Sequence, residues 1–188
     1  DLIGQVVVRI IDLNRFYNLN NLIQDDGEVN EQELERFRQL LVELDLDEEL
    51  AENVKDWLDE DDKESGYLSE SEAYGYFEPG YVAANQAFTD LSELRLVNGF
   101  TPDVMQLLAP HLTVVPGWGV LPLNVNTATD YALTTLQKYD RSEKVYEGIT
   151  QSGARNIESN RPYTSITEYN NIAPVSSPTT TTSVNPDS

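Results

Sequence analysis

The sequence has no cysteine, and only one histidine and one methionine among its 188 residues. Disulfides and thiolate zinc sites are therefore excluded. Positive charge is also scarce: twelve lysines and arginines face thirty-three acids, for a net charge of −21. No apolar run approaches the ~20 residues that a membrane-spanning helix needs. A signal peptide is not visible either, because Leu2–Ile11 is interrupted by Gly4, Gln5 and Arg9. Asp1 is not a natural start residue, so the chain is expected to be a trimmed piece of a longer protein. Catalytic signatures are missing as well: there is no GxSxG, HExxH, P-loop or GxGxxG pattern. His111 follows Pro110 in an apolar stretch with no nucleophile motif around it, and reads as a packing or surface residue. No enzyme is expected.

The acids are concentrated. Twenty of them lie between Asp25 and Glu72, against Arg36, Arg38, Lys55 and Lys63, so this stretch alone carries −16. Such a field repels phosphate backbones and anionic membrane surfaces. It suits Ca²⁺, which prefers hard carboxylate oxygens; the plainer alternative is a solvated acidic face. The densest part is Trp57–Tyr74, where Asp59, Asp61 and Asp62 precede Gly66 and Glu70 and Glu72 follow it. The glycine permits a bend that brings both sides together, and backbone carbonyls can complete six to eight oxygens around an ion. The same segment can be laid on an EF-hand loop with Asp61 at position 1, Gly66 at 6 and Glu72 at 12, although Lys63 then occupies a ligand position. An upstream copy places Asp26, Gly27, Asn30 and Glu33 at positions 5, 6, 9 and 12, but Leu22 and Gln24 fill positions 1 and 3. An EF-hand-like calcium-responsive binding module is thus the alternative reading of this region.

Periodicity predicts many short helices. Gln5–Asp12, rich in β-branched residues, reads as a strand that needs partners, and the asparagines of Arg15–Asn21 read as a turn leaving it. Asn30 and Glu33 cap a helix with Leu34, Phe37, Leu41 and Leu44 on one face. Asp47 opens a second, with Leu50, Val54, Trp57 and Leu58 as its stripe. Ser69 with Glu72 forms a further capping pattern. Tyr81–Phe88 reads as a short helix, Asp90 with Glu93 starts one ending at Gly99, and Thr101-Pro102 starts one stopped by Pro110. Leu112–Val115 suits a strand. Thr127 with Asp130 caps another helix, Ser142–Gln151 reads as helical, and Ser165–Asn170 as a last helical turn. From Ala173 the Thr/Ser/Pro-rich composition predicts a flexible segment. Leu121–Leu136 and Ser92–Leu108 have a helix-hairpin-helix look, but a nucleic-acid role is opposed by the charge.

Taken together, IIDLNRFYNLN (Ile10–Asn20), DWLDED (Asp56–Asp61), GYLSESEAY (Gly66–Tyr74), YVAAN (Tyr81–Asn85), the Ser92–Phe100 segment and NVNTA (Asn124–Ala128) resemble, in order and spacing, the K-type minor pseudopilins of bacterial type II secretion. The resemblance implies an α+β fold in which a mostly helical inserted domain is attached to part of a pilin-like antiparallel sheet. It divides the chain into a strand and lead-in (1–20), the inserted domain with its helix-hairpin-helix-like elements (21–172) and the flexible segment (173–188). It implies a structural tip subunit that joins the I- and J-type minor pseudopilins, caps the filament for protein export and possesses a structural Ca²⁺. Mapped here, the implied ligands are Asp59, Asp61, Asp62, Glu70 and Glu72 with the carbonyl of Tyr67. Contacts with secreted substrate or the outer-membrane channel are compatible with that role. The family is periplasmic in Gram-negative bacteria, anchored in the inner membrane by an N-terminal helix absent from this sequence, as are the family's last sheet strands.

Overall fold

The side chain of Asn30 accepts the N–H of Glu33 at 3.3 Å and starts helix α1, Glu31–Glu43. This is the cap expected of an asparagine ahead of an apolar stripe. The computed structural model describes residues 6–24, 26–59, 74–75, 80–117, 120–140, 145–172 and 182–183. Within them the fold is α+β: α1 is followed by α2 (Leu50–Leu58), α3 (Pro102–Leu108), α4 (Asp130–Thr134), α5 (Gln151–Ser159) and α6 (Ile166–Ile172). The strands are short. β1 (Tyr17–Asn18) pairs in parallel with β2 (Leu112–Thr113), and β3 (Leu123–Asn124) in parallel with β6 (Thr182–Ser183). β4 (Gln137–Asp140) and β5 (Val145–Gly148) form an antiparallel hairpin with Tyr139 opposite Tyr146.

Two apolar clusters build the body. The first runs from Tyr17 to Leu112, with Leu34, Phe37 and Leu41 of α1 facing Val54 and Trp57 of α2. Tyr17 stacks on Phe37 with ring centroids 5.7 Å apart. The second runs from Leu123 to Tyr169 and is closed by the edge-on pair Tyr163 and Tyr169, 5.4 Å apart. The stripes predicted for α1 and α2 are thus the core faces, since buried apolar area is what stabilises short helices.

Several elements differ from the sequence expectation. Residues 6–12 form no helix and no ladder among the described residues, and Val6, Val7, Val8 and Ile10 are exposed. Tyr81–Phe88 is not helical, because Asn85 adopts a left-handed φ of 46° and its N–H bonds Trp57 O at 3.0 Å. An asparagine tolerates that conformation; a helix does not. The α2 helix begins at Leu50 rather than at Asp47, whose carboxylate takes the N–H of Glu49 in the turn before it. Helix α4 is capped by Thr129, not Thr127. Of the expected helix Ser142–Gln151, residues 142–144 lie outside the described residues and the rest is β5 and the start of α5: Gly148 disfavours a helix, and Thr150 caps the helix that follows. The Asp90–Glu93 capping box is present, but the turn it opens, Leu91–Leu96, is a 3-10 helix. Gly99 ends that region with φ +84°, and a Cβ there would lie 2.6 Å from Leu50 Cδ2. The Ser69–Glu72 pattern lies outside the described residues. So does the Thr/Ser/Pro-rich segment, apart from β6.

Candidate functional site

Asn18, Asn20 and Asn21 are buried, and each carboxamide is used as a peptide group would be. Asn20 Nδ2 donates to Phe88 O and Val115 O, both at 2.9 Å, and its Oδ1 accepts the N–H of Phe88 at 2.9 Å. Asn21 pairs with Leu121 the same way, donating to its O at 3.1 Å and accepting its N–H at 2.8 Å. Asn18 donates to Asn21 Oδ1 at 3.0 Å and accepts the N–H of Val115 at 3.1 Å. A fourth carboxamide, Asn126, pairs with both the N–H and the C=O of Tyr163 at 2.7 and 2.9 Å. A carboxamide has one acceptor and two donors, so it can replace a strand neighbour where no strand fits. The backbone at buried Phe88 and at half-buried Val115 and Leu121 is satisfied in this way, as backbone withdrawn from water requires.

Asp12 closes the same seam. Its carboxylate accepts from Asn14 N at 3.0 Å, Asn124 Nδ2 at 2.9 Å and Thr127 Oγ1 at 2.6 Å. Burial pushes its pKa up, but the bonds from Thr127, Asn124 and Asn14, with Arg15 nearby, outweigh this and hold it below the ordinary carboxylate range. Arg161 Nε and Nη2 donate to Val125 O and Ala128 O at 2.7 Å each; burial lowers its pKa, opposed by Glu158. Arg36, from α1, reaches Thr135 at the end of α4 and so links the two apolar clusters. His111 is half-buried against Tyr131, with ring centroids 4.6 Å apart. Burial pushes its pKa down while Asp130 works the other way, and it sits as the packing residue the sequence suggested.

Of the expected calcium ligands, Asp59 is within the described residues; Asp61, Asp62, Tyr67, Glu70 and Glu72 lie outside them. Asp59 caps the C-terminus of α2, where its N–H bonds Lys55 O at 3.0 Å. A helix C-terminus carries partial negative charge and favours a cation beside it. Beyond it the chain supplies seven acids from Asp59 to Glu72, against Lys63, and no histidine or cysteine. That all-oxygen donor set fits Ca²⁺. The two ends of the segment are held close by aromatic packing. Trp57 meets Tyr74 and Tyr81 edge-on at 5.2 and 6.2 Å, Tyr81 OH donates to Leu96 O at 2.7 Å, and Asn98 N donates to Tyr74 OH at 3.4 Å. Among the described residues no group of three His, Cys, Asp or Glu is placed to hold a metal.

The upstream EF-hand copy is not one. Ile23 and Val29 form an antiparallel bridge, and Gly27, with φ +85°, serves a tight turn in which Gly27 N bonds Gln24 O at 3.0 Å. Asn30 is spent on its helix cap, and Glu33 is ion-paired to Arg36 at 2.7 Å. The asparagines of Arg15–Asn21, expected in an ordinary turn, are instead buried ties between distant segments. The signal available was their density, three in four residues at Asn18–Asn21.

The chain is similar to known proteins. The family model for type II secretion system (T2SS), protein K, matches residues 15–117. The type II secretion system protein K of Pseudomonas aeruginosa is 37% identical over 157 residues, covering 80% of this chain and 46% of that protein. The protein K of Pectobacterium carotovorum is 29% identical, covering 85% and 49%. The chain thus spans about half the length of the curated relatives it matches. A solved structure of the GspK-GspI-GspJ complex from the enterotoxigenic Escherichia coli type 2 secretion system contains a chain of the same fold, with TM-score 0.66, 23% identity, and coverage of 87% of this chain and 58% of that one. With more than half of its residues inside the matched region, the chain belongs to the type II secretion system protein K family.

Proposed function

We propose that this chain is the periplasmic part of a minor pseudopilin that assembles with I- and J-type subunits at the tip of the type II secretion pseudopilus and caps the filament during protein export. The observation that carries the reading is a likeness of fold over 87% of the chain to a protein solved in complex with GspI and GspJ, in a chain of the same family. The exposed apolar segment 6–11 supports it, because a row of β-branched residues with no ladder partner among the described residues is a template for strand pairing. In this reading the inner-membrane anchor belongs to the longer protein. No helix among the described residues is long and apolar enough to cross a membrane. The role is structural, and no residue is assigned to catalysis.

The test is co-purification of this chain with the periplasmic domains of the I- and J-type minor pseudopilins. A stoichiometric complex on size exclusion is the expected result. Separate elution of all three at micromolar concentration would remove the assembly reading.

The same proposal includes a structural Ca²⁺ held by Asp59, Asp61, Asp62, Glu70 and Glu72 with the carbonyl of Tyr67. When bound, the ion supplies positive charge that offsets the crowded carboxylates. The chain's own contribution is the aromatic closure at Trp57, Tyr74 and Tyr81, which holds the two ends of the segment near each other. An ion present at a hundred times its dissociation constant stabilises by about 2.7 kcal/mol. For a chain of this size that is roughly 5–10 °C in melting temperature. Thermal melts in millimolar Ca²⁺ and in excess chelator are expected to differ by this amount. Superimposable melts would eliminate the ion.

A further inference from the structure

We propose that Asp12 is the positioning residue that fixes the direction in which the exposed segment 6–11 leaves the helical body. This is a property of the chain by itself and stands apart from the assembly reading.

Among the described residues no hydrogen bond holds the course of the segment. Val6, Val7, Val8 and Ile10 are 77–92% exposed, and the segment has no ladder among the described residues. Its direction is therefore set where it meets the body, at residue 12. There one carboxylate receives hydrogen bonds from three separate places in the chain. Asn14 N, at 3.0 Å, belongs to the 3-10 turn Leu13–Arg15 that Asp12 caps. Asn124 Nδ2, at 2.9 Å, lies at the end of β3, and Thr127 Oγ1, at 2.6 Å, in the turn before α4. The last two are 112 and 115 residues away in sequence and belong to the second half of the body. A fourth tie follows at once: Thr129 N donates to Arg15 O at 3.1 Å.

Three directional bonds that converge on a two-oxygen group leave it little rotational freedom. Bonds to an ionised acceptor are also the stronger kind. The backbone at Asp12 (φ −72°, ψ 116°) is thereby pinned from both sides, by its own turn and by the distant β3–α4 connection. A serine or alanine at this position would keep the chain path but lose the link to Asn124 and Thr127. The segment would then pivot at residue 12, while the body, held by its two apolar clusters, would keep its own structure. Any partner strand that pairs with 6–11 therefore meets the helical body at an angle this carboxylate dictates.

The absence of cysteine makes the test clean, because introduced labels are unique. Nitroxides are attached to the full chain at Val8→Cys and Arg155→Cys, both exposed, and the distance distribution is measured by pulsed electron resonance. A second pair, Glu35→Cys with Arg155→Cys, reports on the body alone. Adding Asp12→Ala is expected to widen the Val8 distribution roughly twofold, as a freed segment samples more directions. The body pair stays unchanged. Thr127→Val, which removes one of the three donors, gives a smaller widening in the same direction. Equal Val8 widths in parent and Asp12→Ala would overturn the proposal, and so would equal broadening of both pairs, which is general loosening. If Asp12→Ala does not fold, Thr127→Val decides alone, and an unchanged Val8 distribution in that variant overturns it.

Discussion

Replacing Arg36 by methionine is expected to lower the stability of this chain by about 3–5 kcal/mol, because the change leaves a buried carboxylate without its counter-charge. Arg36 and Glu33 sit one turn apart on α1 and are 4% and 2% exposed, with Nη1 and Oε1 separated by 2.7 Å. The second oxygen of Glu33 is buried and has no hydrogen-bond partner, so the guanidinium is the principal compensation for this charge. Arg36 also carries the tie between the clusters, with Nε donating to Thr135 O at 2.8 Å and Nη2 to Thr135 Oγ1 at 3.4 Å. Its loss therefore strands both a carboxylate and a backbone carbonyl.

At roughly 2–4 °C per kcal/mol for a chain of this size, the thermal midpoint is expected to fall by about 6–20 °C. The double variant Glu33→Gln with Arg36→Met removes both charges and should recover a good part of the loss, since uncharged groups of similar volume are often tolerated in place of a buried pair. Arg38 is the control. It pairs with Glu35 at 3.1 Å and with Glu52 on a partly exposed face, and Arg38→Met is expected to change stability by less than ~1 kcal/mol. Urea unfolding of the four proteins decides the matter. Equal losses for Arg36→Met and Arg38→Met would mean that the buried pair holds nothing together.

What the sequence disclosed was local. The cap at Asn30, the box at Asp90 and Glu93, and the stop at Pro110 each act within four residues, and they govern α1, the turn Leu91–Leu96 (3-10 where a helix to Gly99 is expected) and α3. Apolar periodicity likewise picked out the faces of α1 and α2 that meet in the first cluster. The misreadings have a common cause in long-range partners. Thr127 has the spacing of a helix cap toward Asp130, but its hydroxyl is taken by Asp12, 115 residues away, and the cap passes to Thr129. Tyr81–Phe88 has helical composition, but Asn85 is drawn to the end of α2 and Phe88 to Asn20. In Ser142–Gln151, Val145 and Ile149 have the spacing of one helical face, but Val145–Gly148 pairs instead with Gln137–Asp140 as an antiparallel strand. For the candidate calcium corner the sequence supplied the donor chemistry, and the structure places Asp59 and the aromatic closure beside it.

The asparagine seam yields the sharpest single-atom prediction. Asn20 is fully buried, and its amide nitrogen donates to two carbonyls, Phe88 O and Val115 O. Asn20→Asp keeps the shape and exchanges that nitrogen for an oxygen. At pH 7 both donated bonds are lost, acceptor faces acceptor at about the same separation, and a charge is buried with no cation among its hydrogen-bond partners. Each stranded buried group costs about 1–3 kcal/mol, so a loss of at least ~3 kcal/mol is expected. Acid should relieve it. Burial raises the folded-state pKa of the new carboxyl above its unfolded value, so protonation restores one donor and removes the charge. The stability gap between variant and parent is therefore smallest below the unfolded pKa and widens as pH rises through the folded one. Gln106→Glu, the same exchange of amide for acid on the exposed side of α3, should stay within ~0.5 kcal/mol of the parent at every pH. Denaturant melts of the three proteins at pH 4 and pH 7 give the comparison. A constant gap for Asn20→Asp across that range would show that its amide does not hold the 88 and 115 loops together, whereas a gap that narrows in acid is the signature of a side chain standing in for a strand.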